Sequence, residues 1–240
     1  MKITFLGTRG YIDSRTSAHR MHTACRVSYA GKDVMIDCGE DWRGQLGALR
    51  PHAIVLTHAH PDHAFGLADG APCPVWATAA TWEAIDEFPL EKRQVVRERD
   101  PVRIRGIDFE AFPVEHSTRA PAVGYRITAG KVAIFYVPDL VYIRDRATAL
   151  RGCSVYIGDG ATIENSMVRK PGQALIGHTP VRTQLTWCRK EGVPRMIVTH
   201  CGSCIVDEHE ERVLDTLRTY AEERDVEVQV AHDGDTVILR

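Results

Sequence analysis

Short apolar runs, alternating or continuous and broken every few positions by turn-forming residues, dominate the first 140 positions of the chain. Strands are predicted at residues 3–6, 25–29, 34–36 and 53–57, with Ala30-Gly31-Lys32 turning the second into the third. More strands are expected at 102–104, 107–112, 122–127 and 132–137, while helical spacing interrupts them near 79–87 and 143–150. Helices dominate later. Thr179 as N-cap, Pro180 at the first helical position and Gly192 as the stop delimit one helix, and another is expected over 207–223. Strands at 195–199, 226–230 and 236–239 complete the tail.

Two of these strands echo each other: Ile54-Val55-Leu56-Thr57-His58 and Ile197-Val198-Thr199-His200 each deliver a histidine at a carboxyl end. One such strand per half suits two β-rich halves with helices outside and a site on their shared edge. This is an α/β fold, a four-layer αββα sandwich. No linker or low-complexity stretch divides the chain, so residues 1–240 are expected to form a single domain.

Composition narrows the function classes. With 44% hydrophobic and 26% charged residues the chain can build a core and is not a disordered or coiled-coil protein. The longest apolar runs, such as Val132 to Val137, fall far short of the roughly 20 residues that span a bilayer, so no membrane partner is expected. Thirty Lys and Arg against thirty-two Asp and Glu give a net charge of −2, which supplies no global attraction to nucleic acid. The amino-terminal segment lacks an apolar signal region, and seven scattered cysteines do not read as a disulfide framework. A reducing cytoplasm is the expected compartment, with a homodimer one admissible assembly.

The chemistry concentrates in His58-Ala59-His60-Pro61-Asp62-His63, directly after a predicted strand. Imidazole nitrogens and carboxylate oxygens suit zinc, and a loop can fan neighbouring side chains toward different ions. A polar turn with incidental histidines is the plain alternative, and four ligand types at this spacing are rare by chance. The segment matches the HxHxDH motif of the metallo-β-lactamase fold superfamily, which the chain resembles over nearly its whole length. The resemblance implies that His58, His60 and His116 hold one ion and Asp62, His63 and His200 the other, with Asp139 bridging and Asp62 also counted as catalytic. It further implies that Asp37 orients a ligand histidine from behind. Two Zn2+ ions are expected, with Mn2+ or another divalent ion as substitutes. Such a pair lowers the pKa of a shared water and neutralises the oxygens of an attacked ester.

Substrate class must come from other residues. His178 lies where the helix after Pro180 is predicted to begin, and a helix N-terminus attracts anions while an imidazole there can protonate a departing alkoxide. Together with Leu6-Gly7-Thr8-Arg9-Gly10, His116-Ser117 and Gly124-Tyr125, this placement resembles the PhnP and tRNase Z phosphodiesterase branch. Only 22 residues separate His116 from Asp139, too few for the long basic arm by which tRNase Z grips tRNA, so tRNA is read as an unlikely partner. Only Cys25 lies in the early region where the phosphonate-pathway enzyme carries a structural zinc, which is therefore not expected. The reading is a dinuclear zinc phosphodiesterase using a bridging hydroxide on a small or cyclic phosphodiester. Alternatives are a thioester or lactone hydrolase with the same metals, an armless tRNase Z-like nuclease, and a non-catalytic binding protein. His19, Arg20, His22 and Thr179 are weaker candidates for substrate contacts, and Cys201 and Cys204 read as packed thiols rather than a redox pair.

Overall fold

The computed structural model describes residues 1–240 and arranges fifteen strands in two facing sheets. The first sheet contains β1 (Lys2–Gly7), β2 (Ala24–Tyr29), β3 (Lys32–Ile36), β4 (Ala53–Val55), β5 (Val75–Ala77) and β6 (Arg93–Val95). The second contains β7 (Val102–Ile104), β8 (Ile107–Glu115), β9 (Ala122–Ala129), β10 (Val132–Val137), β11 (Tyr142–Ile143), β12 (Val155–Asp159), β13 (Arg195–Thr199) and β14 (Glu227–Val230). The last strand, β15 (Thr236–Ile238), returns to pair antiparallel with β1 at the edge of the first sheet. Each sheet is mixed in the same sense. An antiparallel part, β1 to β3 or β8 to β10, leads into a parallel run, β3 to β6 or β10-β12-β13-β14.

Period-two alternation explains the layering. Along β10, Ile134 and Tyr136 join Phe5, Val27, Val55 and Ile157 in the core between the sheets, while Phe135 and Val137 face the opposite way. There they meet Leu150 of α4 (Arg146–Leu150) and Leu185 of α5 (Val181–Glu191), with α6 (Ser203–Val206) and α7 (Glu210–Glu222) in the same outer layer. On the other side α1 (Leu46–Leu49), α2 (Pro61–Ala64) and α3 (Ala79–Ala84) cover the first sheet through Leu46, Ala64 and Trp82. The four-layer αββα sandwich of the metallo-β-lactamase fold results.

Several element boundaries differ from the sequence reading for physical reasons. Pro180 sits at φ −62°, ψ 148°, so it is the cap and not the first helical residue, and α5 begins at Val181. The helix expected over 207–223 starts at Glu210, with α6 a separate turn ahead of it. The segment 143–150 divides into β11 and α4. Strands β5, β6 and β12 were not foreseen.

The parallel runs position the site. Because β3, β4, β10, β12 and β13 all leave the sandwich at one edge, Asp37, His58, Asp139, Asp159 and His200 emerge together at or just beyond their carboxyl ends. Asp37 and His200 do so in left-handed backbone, at φ 59° and 53°. That conformation costs a non-glycine residue about 1–2 kcal/mol, and both turns hold side chains that glycine could not supply.

Candidate dinuclear metal centre

Seven side chains from four regions of the chain converge into two overlapping clusters. His58, His60, His116 and Asp139 bring one ligand atom each to within 4.8 Å of one another, and so do Asp62, His63, Asp139 and His200. Asp139, two residues beyond β10, belongs to both. Its Oδ2 lies 2.9 Å from His63 Nε2, 3.3 Å from His58 Nε2 and 3.7 Å from His116 Nε2, while Oδ1 lies 3.3 Å from His200 Nδ1. Asp62 Oδ2 sits 3.2 Å from His63 Nε2 and 3.1 Å from His200 Nε2. Asp62 and His63 are on the single helical turn of α2, capped by His60, and not in the open loop the spacing suggests.

Outer hydrogen bonds set which ring nitrogen faces inward. Asp37 Oδ2 is 3.0 Å from His63 Nδ1 and accepts at 2.8 Å from the Thr57 hydroxyl, which also contacts His58 Nδ1 at 3.0 Å. The Gly177 carbonyl accepts from His116 Nδ1 at 3.2 Å. The inward atoms are then left wanting a partner: His63 Nε2, Asp139 Oδ1 and His200 Nδ1 are buried without a hydrogen bond. Buried orphan nitrogens and carboxylate oxygens pointing at a shared centre are what divalent ions would satisfy, and the donor set fits zinc.

The electrostatics agree. Burial holds His58 well below the usual imidazole range and lowers His116, and burial together with His116 brings His60 to about 4, so these rings keep neutral lone pairs at pH 7. Burial raises Asp62 and Asp139, but the surrounding imidazoles outweigh it and hold both carboxyls well below their ordinary value. In the second cluster burial lowers His63 and His200, but the carboxylates outweigh it, holding His63 well above the usual imidazole range and bringing His200 to about 9, so without an ion these two rings keep protons that a cation would displace.

A residue missed by sequence reasoning completes the site. Asp159 ends β12, is fully buried, and approaches His178 Nδ1 at 2.8 Å with Oδ2, while accepting the backbone N–H groups of Leu140 and Ala161. Val155-Tyr156-Ile157-Gly158-Asp159 shows the same signal as the two echoed strands, an apolar run ending in a ligand-type side chain. Gln184 on α5 pins this strand end: its Nε2 donates to the carbonyls of Asp159 and Thr179, and its Oε1 accepts from Tyr156 Oη and Asp159 N–H. Burial lowers His178, but Asp159 and then Asp139, 3.2 Å away, raise it to about 11. The rings of His178 and His200 stack at 5.7 Å.

Four weaker candidates lie elsewhere. The helix N-terminus after His178 offers no free donors, because Val181 and Arg182 N–H bond the carbonyls of Thr162 and Ile163. Thr179 is buried, its hydroxyl donating to the Val141 carbonyl at 2.6 Å. His19 turns inward to Thr8 and stacks edgewise on His232, and His22 is buried against Asp41; burial brings both to about 4. Arg20 donates its N–H to Asp233 on the surface. None of the four lines the cleft of about 660 Å³ above the clusters, which His60, Asp62, His116, Asp139, His178 and His200 do line. Asp41 and Asp233 draw the polar groups of this loop away from the opening. Cys201 is buried and Cys204 borders the cleft, both as free thiols.

Comparison with known proteins places this geometry. The chain is 28% identical to the ribonuclease Z of Methanopyrus kandleri over 98% of its own length and 97% of that protein. A 70-residue stretch is 46% identical to the ribonuclease Z of Bradyrhizobium diazoefficiens, spanning 27% of this chain but only 22% of that protein. Among solved structures, the metallo-β-lactamase fold protein YhfI from Bacillus subtilis superposes with a TM-score of 0.74 at 17% identity, covering 98% of each chain. A diphosphatase from the PhnP family gives 0.68 at 22% identity, covering all of this chain and 98% of the other. The ribonuclease Z relatives remove the support for tRNA as an unlikely partner: net charge and a missing arm do not decide it. Residues 32–201, from the hairpin strand before Asp37 to the residue after His200, match the family model described as the beta-lactamase superfamily domain. The two clusters and the sandwich that carries them thus have a common origin with known hydrolases: this chain belongs to the β-lactamase superfamily and has the metallo-β-lactamase fold.

Proposed function

We propose that residues 1–240 form one hydrolase domain, a dinuclear zinc phosphodiesterase acting on a small or cyclic phosphodiester. The observation that carries this reading is the Asp159–His178 pair, 2.8 Å apart at the wall of the cleft and beside Asp139. His58, His60 and His116 would hold one ion, Asp62, His63 and His200 the other, and Asp139 both, with Asp37 orienting His63. Two ions bound there would supply Lewis acidity to the phosphoryl oxygens and make an attacking water more acidic. Asp159 fixes the His178 tautomer through Nδ1 and leaves Nε2 for the cleft. As the phosphorus–oxygen bond to the leaving group breaks, Nε2 gives its proton to the departing oxygen, and the two carboxylates steady the ring's charge until then. Asp62, inside the cleft and paired with His200, is placed to accept a proton from water. Free thiols at all seven cysteines accord with a reducing cytoplasm, and no helix is long and apolar enough to cross a membrane.

The ribonuclease Z relatives favour a second reading, cleavage of RNA at a 3′ extension by the same groups. Thioesters and lactones are the third class the metals could serve. The test is turnover by the zinc- or manganese-loaded protein on bis-p-nitrophenyl phosphate, a cyclic nucleotide, RNA with a 3′ extension, a thioester and a lactone. Activity confined to the carbon esters overturns the phosphodiesterase reading, and activity on RNA alone moves the assignment to the nuclease.

A further inference from the structure

The cleft is charged at its floor and apolar at its rim. The segment Gly10-Tyr11-Ile12 abuts His200: a methyl group at Gly10 would come within 3.1 Å of that ring. Met167 belongs to a segment tied to His178, whose carbonyl accepts its N–H at 3.2 Å. Because the His178 and His200 rings stack, these two rim segments flank one end of the cleft. Tyr11 leaves 63% of its surface in water and Met167 leaves 50%, and both line the opening. Exposed large apolar side chains beside a reactive centre are an uncompleted contact surface. A tyrosine face stacks on rings, and a methionine sulfur and its flexible stem adapt to ring edges. The rim is also held in place: Arg9, buried and paired with Asp41, donates to the Ile12 carbonyl.

Charge sharpens the choice of occupant. No lysine or arginine lines the cleft, so beyond the ligand clusters and His178 no cationic side chain awaits a second anionic group; Thr162, Asn165 and Ser203 are the neutral polar side chains of its lining. We infer that Tyr11, Ile12 and Met167 form a subsite for an uncharged planar ring carried by the substrate, which makes the preferred substrates aryl or heteroaryl phosphoesters. The inference rests on the phosphodiesterase reading above. It assigns the three rim residues to specificity, while the reacting phosphate is left to the clusters and His178.

Calorimetric titration of the metal-loaded protein with phenylphosphonate, methylphosphonate and 4-carboxyphenylphosphonate tests the subsite without turnover. Phenylphosphonate should bind roughly tenfold or more tightly than methylphosphonate, because only the first has a ring to withdraw from water. The carboxylate should cancel most of that gain, having no cation to meet. In Tyr11→Ala combined with Met167→Ala the ring's advantage should shrink to about threefold or less, with methylphosphonate binding unchanged. Tyr11→Leu, which keeps apolar area without a stacking face, should fall between. Equal binding of both phosphonates by the unaltered protein, or an advantage that survives the double substitution, overturns the subsite and leaves the phosphoester reading standing. Binding of neither overturns the phosphoester reading and the subsite with it.

Discussion

His178→Ala removes the imidazole that Asp159 holds at 2.8 Å inside the cleft, and its cost can be worked out for two separate quantities. The first is rate. A positioned general acid contributes about 10²–10⁴ to the departure of a poor leaving group, which is about 2.7–5.4 kcal/mol of activation free energy. A p-nitrophenolate leaves as a stable anion and needs little of that help, so its loss should stay below roughly tenfold. The second quantity is stability. Asp159 would lose one partner and keep the N–H groups of Leu140 and Ala161, a loss of about 1–3 kcal/mol. In a chain of this length that lowers the melting temperature by about 2–4 °C per kcal/mol. Rates must therefore be taken per folded molecule, with metal content and thermal unfolding measured on the same sample. The assay is a pair of phosphodiesters differing only in leaving group, one alkoxide and one p-nitrophenolate. Equal losses on the two would show that His178 binds phosphate instead of donating a proton. Near-normal rates on both, with metal retained, would falsify its part in the chemistry and leave it a structural residue before α5.

Elemental analysis of protein purified without chelator should find about two divalent ions per chain; Asp139→Ala should shed both ions, His116→Ala mainly one, and equal losses would refute the bridge. Asp37→Ala should weaken metal binding about 10–100-fold through loss of the His63 orientation, read by competition with a fluorescent chelator, and unchanged affinity would contradict that role. In chelator, the metal-stripped protein should lose stability as the pH rises from about 6.5 to about 11. Burial lowers His178 and His200, but carboxylates raise them to about 11 and about 9, above the unfolded value near 6.5, so their contribution is complete below pH 6.5 and fades through those higher values. A melting temperature that is flat or rising over that range refutes it. Gln184→Ala should destabilise by about 2–4 kcal/mol, since it strips three hydrogen bonds from the end of β12 and one from the Thr179 carbonyl, and a melting temperature within a degree of the parent would show the clamp to be dispensable.

What could be read in the chain beforehand followed from locality. His58, His60, Asp62 and His63 are adjacent in sequence, so the spacing itself announced a ligand cluster, and the apolar strands ahead of His58 and His200 announced its place at a sheet edge. The strands of the two meanders were visible through alternation. Asp159 follows a similar apolar run, but its place in the site depends on β12 lying parallel beside β10 and β13, and the run does not encode that pairing, which long crossovers make. Strands β5 and β6 escaped for a related reason: three residues paired in parallel carry too little pattern. Pro180 misled in the opposite direction. It is the residue that favours a first helical position, yet here its ring closes an extended approach and its carbonyl receives the first helical bonds from Thr183 and Gln184.

The uneven spread of the ligands along the chain also has a thermodynamic consequence. Four of them lie within six consecutive residues, while the rest come from positions 116, 139 and 200. An unfolded chain keeps the local four close together and can still capture an ion through them. Ion binding therefore lowers the free energy of both states, and the gain in folding stability reflects the ratio of the two affinities, which is smaller than the folded site's affinity alone would give. The distant three part company only when the sandwich opens. Metal should accordingly express itself most in slow unfolding and resistance to proteolysis, and less in the equilibrium melting temperature.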